Sequence, residues 1–192
     1  MSRVLISVFL GGLMLAGGAS AQVEGDRAEG KRLAVQCRTC HGLEGLARLP
    51  VAPNIGGEPA AYIRAQLAAF RDGTRENEMM TIVAKSLTDQ QIADLAAWYS
   101  GHKATAVLTA DPAAAPEQCV ACHGADGIAV IDEAPNLAGE ANIYIDTQLK
   151  AFRIGKRQSE VMEPIARDLT DQQIRAFADW YGAVKIEIEM VE

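Results

Sequence analysis

Cys37-Arg38-Thr39-Cys40-His41 and Cys119-Val120-Ala121-Cys122-His123 hold the side chains of this sequence best suited to chemistry. Two cysteines separated by two residues and followed at once by histidine form the attachment signal for a c-type haem. Both thiols become thioethers to the porphyrin, and the imidazole takes one axial site on the iron. Other uses of the pentapeptide fit less well. A thioredoxin-like redox pair needs a βαβ setting, and a zinc site needs two further soft or imidazole ligands. The chain has four cysteines and three histidines, and every cysteine lies inside a pentapeptide. A histidine directly after each pair also argues against a disulfide framework. The expectation is two haem c groups, attached covalently through Cys37, Cys40, Cys119 and Cys122, with His41 and His123 as axial ligands.

Each iron needs a second axial ligand, and counting narrows the choice. Only His102 remains among the histidines, so at most one haem would be bis-histidine. Met80 and Met162 stand at the same offset as the pentapeptides, each seven residues before the matched Leu87 or Leu169. Met79 competes in the first unit, but its counterpart is Val161, which cannot ligate. Met80 and Met162 are therefore the expected sixth ligands, although an isolated methionine is more often core packing. Thioether ligation raises the reduction potential relative to a harder donor. His102 matches Val184 and reads as a solvated linker residue.

The elements that position these groups come as a repeat. An offset of 82 residues relates Cys37 to Cys119, Pro53 to Pro135, Tyr62 to Tyr144, Phe70 to Phe152 and Trp98 to Trp180 without a gap. About half the positions from Cys37 to Tyr99 are identical in the copy. Each unit reads as helical. A helix over Asp26 to Gln36 leads into the first pentapeptide. A second runs from Glu58 to Arg71 on the spacing of Tyr62, Ile63, Gln66, Leu67 and Phe70, with Gly73 as its stop, and is repeated from Glu140 to Arg153 with Gly155. Thr88-Asp89-Gln90-Gln91 is a capping box that opens a third, repeated at Thr170 to Gln173. No sustained strand alternation precedes the C-terminal tail, where Ile186, Ile188 and Met190 alternate with Glu187 and Glu189 as a short edge strand or a frayed end. The organisation expected is a signal peptide at 1–21, domains at 22–100 and 116–192, and a linker at 101–115. Arg3, the apolar run Val4 to Ala16 and the small residues Ala19-Ser20-Ala21 make up the export signal. Export places the protein in the periplasm.

Two compact units of about eighty residues each would be marginal on protein core alone, and aromatics make up only 5%. A porphyrin at each centre completes such a core. The net charge of −7 is unevenly spread. From Gln22 to Ala104 ten Lys and Arg balance ten Asp and Glu, whereas from Thr105 to Glu192 seven face fifteen, a difference of −8. Asp132 and Glu133 replace Pro50 and Val51 beside the second haem motif. Such a field suits orientation towards a basic redox partner, and no nucleic-acid partner is expected.

On these residues the chain resembles the dihaem cytochromes of the c4 type, built from two class I cytochrome c domains. The resemblance covers essentially the whole mature chain. It is carried by the pentapeptides, Pro53-Asn54 and Pro135-Asn136, Gln66-Leu67 and Phe70-Arg71 with their copies, and the spacing from Met80 to Leu87 and from Met162 to Leu169. It implies an all-α fold of two tandem cytochrome c-like domains, each wrapped around one covalent haem. It also implies a soluble or loosely membrane-associated electron carrier in a respiratory chain, with no substrate site of its own. A membrane cytochrome complex or dehydrogenase would be the donor and a terminal oxidase or reductase the acceptor. The alternative is the dihaem subunit of a dehydrogenase complex, such as a flavocytochrome that oxidises sulfur compounds. A peroxidase would need an open iron, which two retained methionines oppose. By the same resemblance, the carbonyls of Pro53 and Pro135 accept from the axial imidazoles. Glu58 and Glu140 stand where glutamine is more usual, a departure expected to touch only the surface. Arg71, Arg75, Arg153 and Arg157 read either as partners of haem propionates or as solvated helix-end charges. Tyr62 and Tyr144 would bond a propionate or pack on the porphyrin.

Overall fold

The computed structural model describes residues 23–191, and the leader read at 1–21 lies outside them. Helix α1 (Arg27–Ala34) opens the first unit, with the Asp26 carboxylate accepting from the amides of Ala28 and Glu29 at its start. A short turn, α2 (Arg38–His41), carries the end of the first pentapeptide. Then come α3 (Ala60–Asp72), α4 (Met80–Ala84) and α5 (Asp89–Ser100). Helix α3 begins two residues later than its periodicity predicts because Pro59, with φ −55° and ψ 134°, holds the chain extended just before it. It stops at Gly73 in the left-handed region, φ 77°, where a Cβ would be strained. The expected capping box opens α5: the Thr88 side chain accepts from the Gln91 amide, and the Gln91 side chain from the Thr88 amide.

Helices α1 and α5 cross so closely that a Cβ at Gly30 would stand 2.0 Å from the Asp94 carbonyl oxygen. Around that crossing, Leu33 from α1, Ile63 and Phe70 from α3, and Leu95, Trp98 and Tyr99 from α5 form one core. Each large aliphatic side chain buried there contributes about 1.5–3 kcal/mol. The second unit repeats the plan with α6 (Glu117–His123), α7 (Asn142–Arg153), α8 (Met162–Arg167) and α9 (Asp171–Ala183). In place of α1 it has one 3-10 turn, Pro112–Ala114. Its core is separate and smaller, centred on Ile145, Ala178, Trp180, Tyr181 and Val184.

The described residues are mostly helical, with one departure from the sequence reading. Within the stretch read as a linker, β1 (Lys103–Val107) pairs antiparallel with β2 (Lys185–Glu189) of the tail. The period-two signal in β1 is hidden because its inward residues are the small Ala104 and Ala106. An isolated two-stranded ribbon is marginal in water. Here it lies across both units: Ala104 closes on Gly57, Ile188 on Gly56 and Ile186 on Gly139. His102, expected to be solvated, is 4% exposed because the chain folds beneath the start of β1, setting its ring edge-on to Trp98 with centroids 4.5 Å apart.

Thr170→Ala removes the acceptor for the Gln173 amide at the start of α9. Loss of such a cap costs about 1 kcal/mol. Denaturant titration of the haem-loaded protein should show the second unit unfolding earlier while the first keeps its midpoint.

Candidate functional site

All four cysteines are half-buried and none is joined in a disulfide. Burial pushes the Cys37 and Cys119 thiols above their ordinary range, so neither is the activated thiolate that redox exchange requires. His41 is 8% exposed and His123 7%. Their Nδ1 atoms lie 2.9 Å from the Pro53 carbonyl oxygen and 2.8 Å from that of Pro135. A carbonyl can only accept, so Nδ1 carries the proton and Nε2 keeps its lone pair. Burial lowers both imidazole pKa values and the carbonyl opposes this, leaving a neutral, oriented ring of the kind that binds a metal.

Met80 heads α4 and packs against the first core, whereas Met79 is 64% exposed. Met162 heads α8 in the same position and is half-buried, and Val161 is 60% exposed. Side chains that the sequence reading did not single out fix these two helix starts. Asn77 Oδ1 accepts from the amides of Met79 and Met80, each at 3.0 Å. At the equivalent position, Ser159 Oγ accepts from the Met162 amide at 3.0 Å. Register alone could have found them, since Asn77 and Ser159 share the repeat offset. The phenol oxygens of Tyr99 and Tyr181 are buried with only the sulfurs of Cys37 and Cys119 beside them. Cysteine pairs without a disulfide, neutral imidazoles with free Nε2, half-buried thioethers and buried phenols all fit a covalently held porphyrin in each unit.

The cytochrome c family model matches residues 27–101 and again 112–181. The chain belongs to the dihaem c4-type branch of the cytochrome c family. Among relatives, the thiosulfate dehydrogenase electron acceptor of Thiomonas intermedia is 34% identical over 95% of this chain and 91% of its own. Cytochrome c4 of Pseudomonas aeruginosa is 31% identical over 94% of this chain and 98% of its own. Among solved structures, reduced recombinant cytochrome c4 from Pseudomonas stutzeri matches with a TM-score of 0.74 and 27% identity, covering 84% of this chain and all of that one. This dihaem cytochrome carries two covalently bound haem c groups and transfers electrons without being an enzyme.

Residues repeated between the cytochrome domains also build the seam that joins them. Arg75 donates to Gln66 Oε1 of its own domain and, across the seam, to Gln148 Oε1 at 2.9 Å and the Tyr144 hydroxyl at 3.4 Å. Arg157 mirrors it, donating to Gln148 at 2.8 Å, to Gln66 at 3.0 Å and to the Tyr62 hydroxyl at 3.0 Å. Both guanidinium groups are 9% exposed and lie over the Phe70 and Phe152 rings, 4.4 Å from each centroid. Arg71 and Arg153 instead tie α3 to α5 and α7 to α9, reaching Asp89 at 2.6 Å and Asp171 at 2.7 Å. Neither pair is simply solvated. Glu58 and Glu140 are 3% and 2% exposed, so their departure from glutamine lies at the buried centre of the seam rather than on the surface.

Arg157→Ala would leave the Tyr62 hydroxyl without its buried donor and Gln66 and Gln148 each with Arg75 alone. Hydrogen bonds of a charged donor contribute about 1.5–3 kcal/mol. The variant should keep both haem spectra while small-angle scattering shows a larger, more variable separation of the two domains.

Proposed function

We propose that Cys37 and Cys40 form the thioethers of the first haem, with His41 and Met80 as its axial ligands. Cys119, Cys122, His123 and Met162 do the same for the second. What supports this is the doubled arrangement: a neutral imidazole with Nε2 free and a thioether heading the equivalent helix, each once per domain. When bound, each haem supplies a one-electron ferric/ferrous couple. The chain's own part is to hold that couple still. The Pro53 and Pro135 carbonyls fix the imidazole planes, and Asn77 and Ser159 fix the backbone from which the thioethers project. Apolar cores keep water out, so little rearranges when charge changes.

The carrier works in the periplasm, within a respiratory chain that ends at a terminal oxidase. It takes electrons from a dehydrogenase or a membrane cytochrome complex, with peripheral membrane association compatible with that role. Among the described residues no helix is long and apolar enough to cross a membrane. A thiosulfate-oxidising dehydrogenase is the donor favoured by the relative from Thiomonas intermedia, whose name is that of an electron acceptor for such an enzyme. The surfaces following the two pentapeptides differ in a way that suits two partners. In the first domain Leu46, Leu49 and Val51 are exposed and apolar. In the second, exposed Val130 and Ile131 are followed by exposed Asp132 and Glu133. Stopped-flow mixing with a purified thiosulfate dehydrogenase and thiosulfate should reduce both haems. No reduction under those conditions, with normal reduction by a membrane cytochrome complex, would assign the donor role to the latter.

Two further outcomes follow from the same reading. Met80→Ala should abolish the methionine-to-iron absorption band of the first haem and lower its potential, with Met79→Ala nearly silent. The opposite pattern would move the ligand to Met79. Electron transfer with the partner that docks on the second domain should slow as salt rises, since screening sets in at roughly 10 Å near 0.1 M ionic strength. Asp132→Asn with Glu133→Gln should flatten that dependence; rates indifferent to both would mean apolar docking at the haem edge.

A further inference from the structure

Glu58 and Glu140 sit at the centre of the seam, and electron transfer as described leaves them without a role. Each reaches across to the other domain. Glu58 Oε2 accepts from the Asn136 amide at 2.9 Å, and Glu140 Oε1 accepts from the Asn54 amide at 2.8 Å. These two amides have a particular position in the chain. The N–H of Asn54 belongs to the same peptide unit as the Pro53 carbonyl that holds His41, and the N–H of Asn136 to the same unit as the Pro135 carbonyl that holds His123. One planar, resonance-linked group therefore stands between a carboxyl of one domain and the axial imidazole of the other. Asn54 and Asn136 lock the unit in place. Their Oδ1 atoms accept from the amides of Ala47 and Ala129 at 2.9 Å, and their Nδ2 atoms donate across the seam to the Gly139 and Gly57 carbonyls at 3.0 Å.

We propose that Glu58 and Glu140 form a proton-binding site shared by the domains, through which each carboxyl tunes the haem of the opposite domain by way of the peptide unit that holds its axial histidine. A charged carboxylate on the N–H side polarises the peptide and makes its carbonyl a stronger acceptor. The imidazole then gives more electron density to the iron, which favours the oxidised state. A protonated carboxyl relaxes that chain and favours the reduced state. Burial pushes the Glu58 carboxyl up to about 8, against the opposing effect of the Asn136 amide. Glu140 is held well above its ordinary range by burial and then by the charge of Glu58. Two carboxyls coupled in this way hold protons as a pair. Glu140 Oε2 has no partner, which is costly for a charged carboxylate and leaves room for a proton.

Tyr62 from α3 and Tyr144 from α7 face the seam, the latter pushed to about 12 chiefly by burial, so it stays neutral in the working range. Arg75 and Arg157 are committed to glutamine and tyrosine oxygens. Helix α9 offers the exposed Asp179, bonded to Asn142. The ribbon presents Ala104, Ile186 and Ile188, with Lys103 and Lys185 exposed at the strand ends. In the coupled step, one electron arrives from the redox partner, the positive charge at that iron falls by one, and one solvent proton joins a carboxylate of the pair. Oxidation returns both.

Potentiometric titration of the intact haem-loaded protein from about pH 5 to pH 9 tests this. Native potentials should fall with rising pH, by up to about 59 mV per tenfold change in proton activity, the limit for one proton per electron. Glu58→Gln with Glu140→Gln keeps both amide acceptors and should lose that slope while leaving the haem spectra intact. The single variants give a sharper signature: E140Q should shift the first haem and E58Q the second. Stability supplies a readout independent of potential. The folded state binds the proton when the unfolded chain has released it, so stability is full below the ordinary carboxylate range and declines as pH rises through about 8. The double variant should melt higher than the native protein at alkaline pH and match it in acid. Equal potential slopes in native and double variant would assign the dependence to the haem propionates and overturn the proposal, as would a flat native profile or single variants that act on their own domain's haem. The inference rests on His41 and His123 as axial ligands; failure of that assignment would show separately, as a missing histidine–methionine signature in the native spectrum.

Discussion

Nδ1 of His41 and of His123 each gives its one proton to a proline carbonyl, and much of the molecule is arranged to keep those two bonds in place. The bond fixes tautomer and ring plane together. It requires the loop after each pentapeptide to return to the imidazole, and backbone bonds from Ile55 and Leu137 to the carbonyls of Gly45 and Gly127 close that loop. Because Pro53 and Pro135 have no N–H to satisfy, their carbonyls can be placed deep in the fold without a paired donor to accommodate. The next residue must still place its amide somewhere dry. Asn54 and Asn136 solve this by turning to the opposite domain, so the demands of the loops that hold the imidazoles extend into the seam.

Domain docking is thus a consequence of the loops that hold the two imidazoles as much as of any apolar patch. The pairs Glu58 and Glu140, Asn54 and Asn136, Arg75 and Arg157, and Gln66 and Gln148 exchange bonds reciprocally, as the two faces of a symmetric dimer do. In a single chain the arrangement needs only a short connector, and the ribbon β1–β2 closes over it by pairing the start of that connector with the end of the second domain. Buried polar contacts of this kind hold orientation more than they add stability, because each donor and acceptor gave up water to form them. A defined angle between two haem domains is what an electron carrier with two sites requires.

The haem motifs and the helices were legible in the sequence because both are local. Pentapeptide spacing, capping boxes and a three-to-four periodicity need no knowledge of what packs where, and the repeat supplied the register for Met80 and Met162. Seam residues were misread for the opposite reason. Glu58 and Glu140 carry the composition of a surface, and nothing within a few positions of either shows that the other domain lies against it. His102 was read as solvated because its counterpart is Val184 and it falls in the stretch read as a linker, whereas it is buried with its ring against Trp98 just before the strand that starts at Lys103. Strand β1 itself escaped detection because alanine gives too faint an alternation to stand out. Reading the repeat more closely would have helped: residues kept identical at the offset include not only ligands but also Glu, Asn, Arg and Gln that no single haem pocket needs in duplicate.

Differences between the copies are informative on the same logic. A two-fold seam constrains both members of each pair, so a position that faces it cannot drift alone without leaving its counterpart unpaired. Many of the positions that did drift face away from the seam. Ile82 and Pro164, Val51 and Glu133, and the helix α1 against the turn at Pro112–Ala114 all lie away from the exchanged bonds. The loop after the first pentapeptide stayed apolar at Leu49 and Val51, while the second acquired Asp132 and Glu133. The excess of negative charge therefore accumulates on the outer surface of one domain, where it can act on an approaching protein, and is excluded from the seam, where an uncompensated charge would be costly. Glu58 and Glu140 are the exception that this reasoning isolates. They are acidic, identical in both copies and buried, which sets them apart from the acidic docking surface.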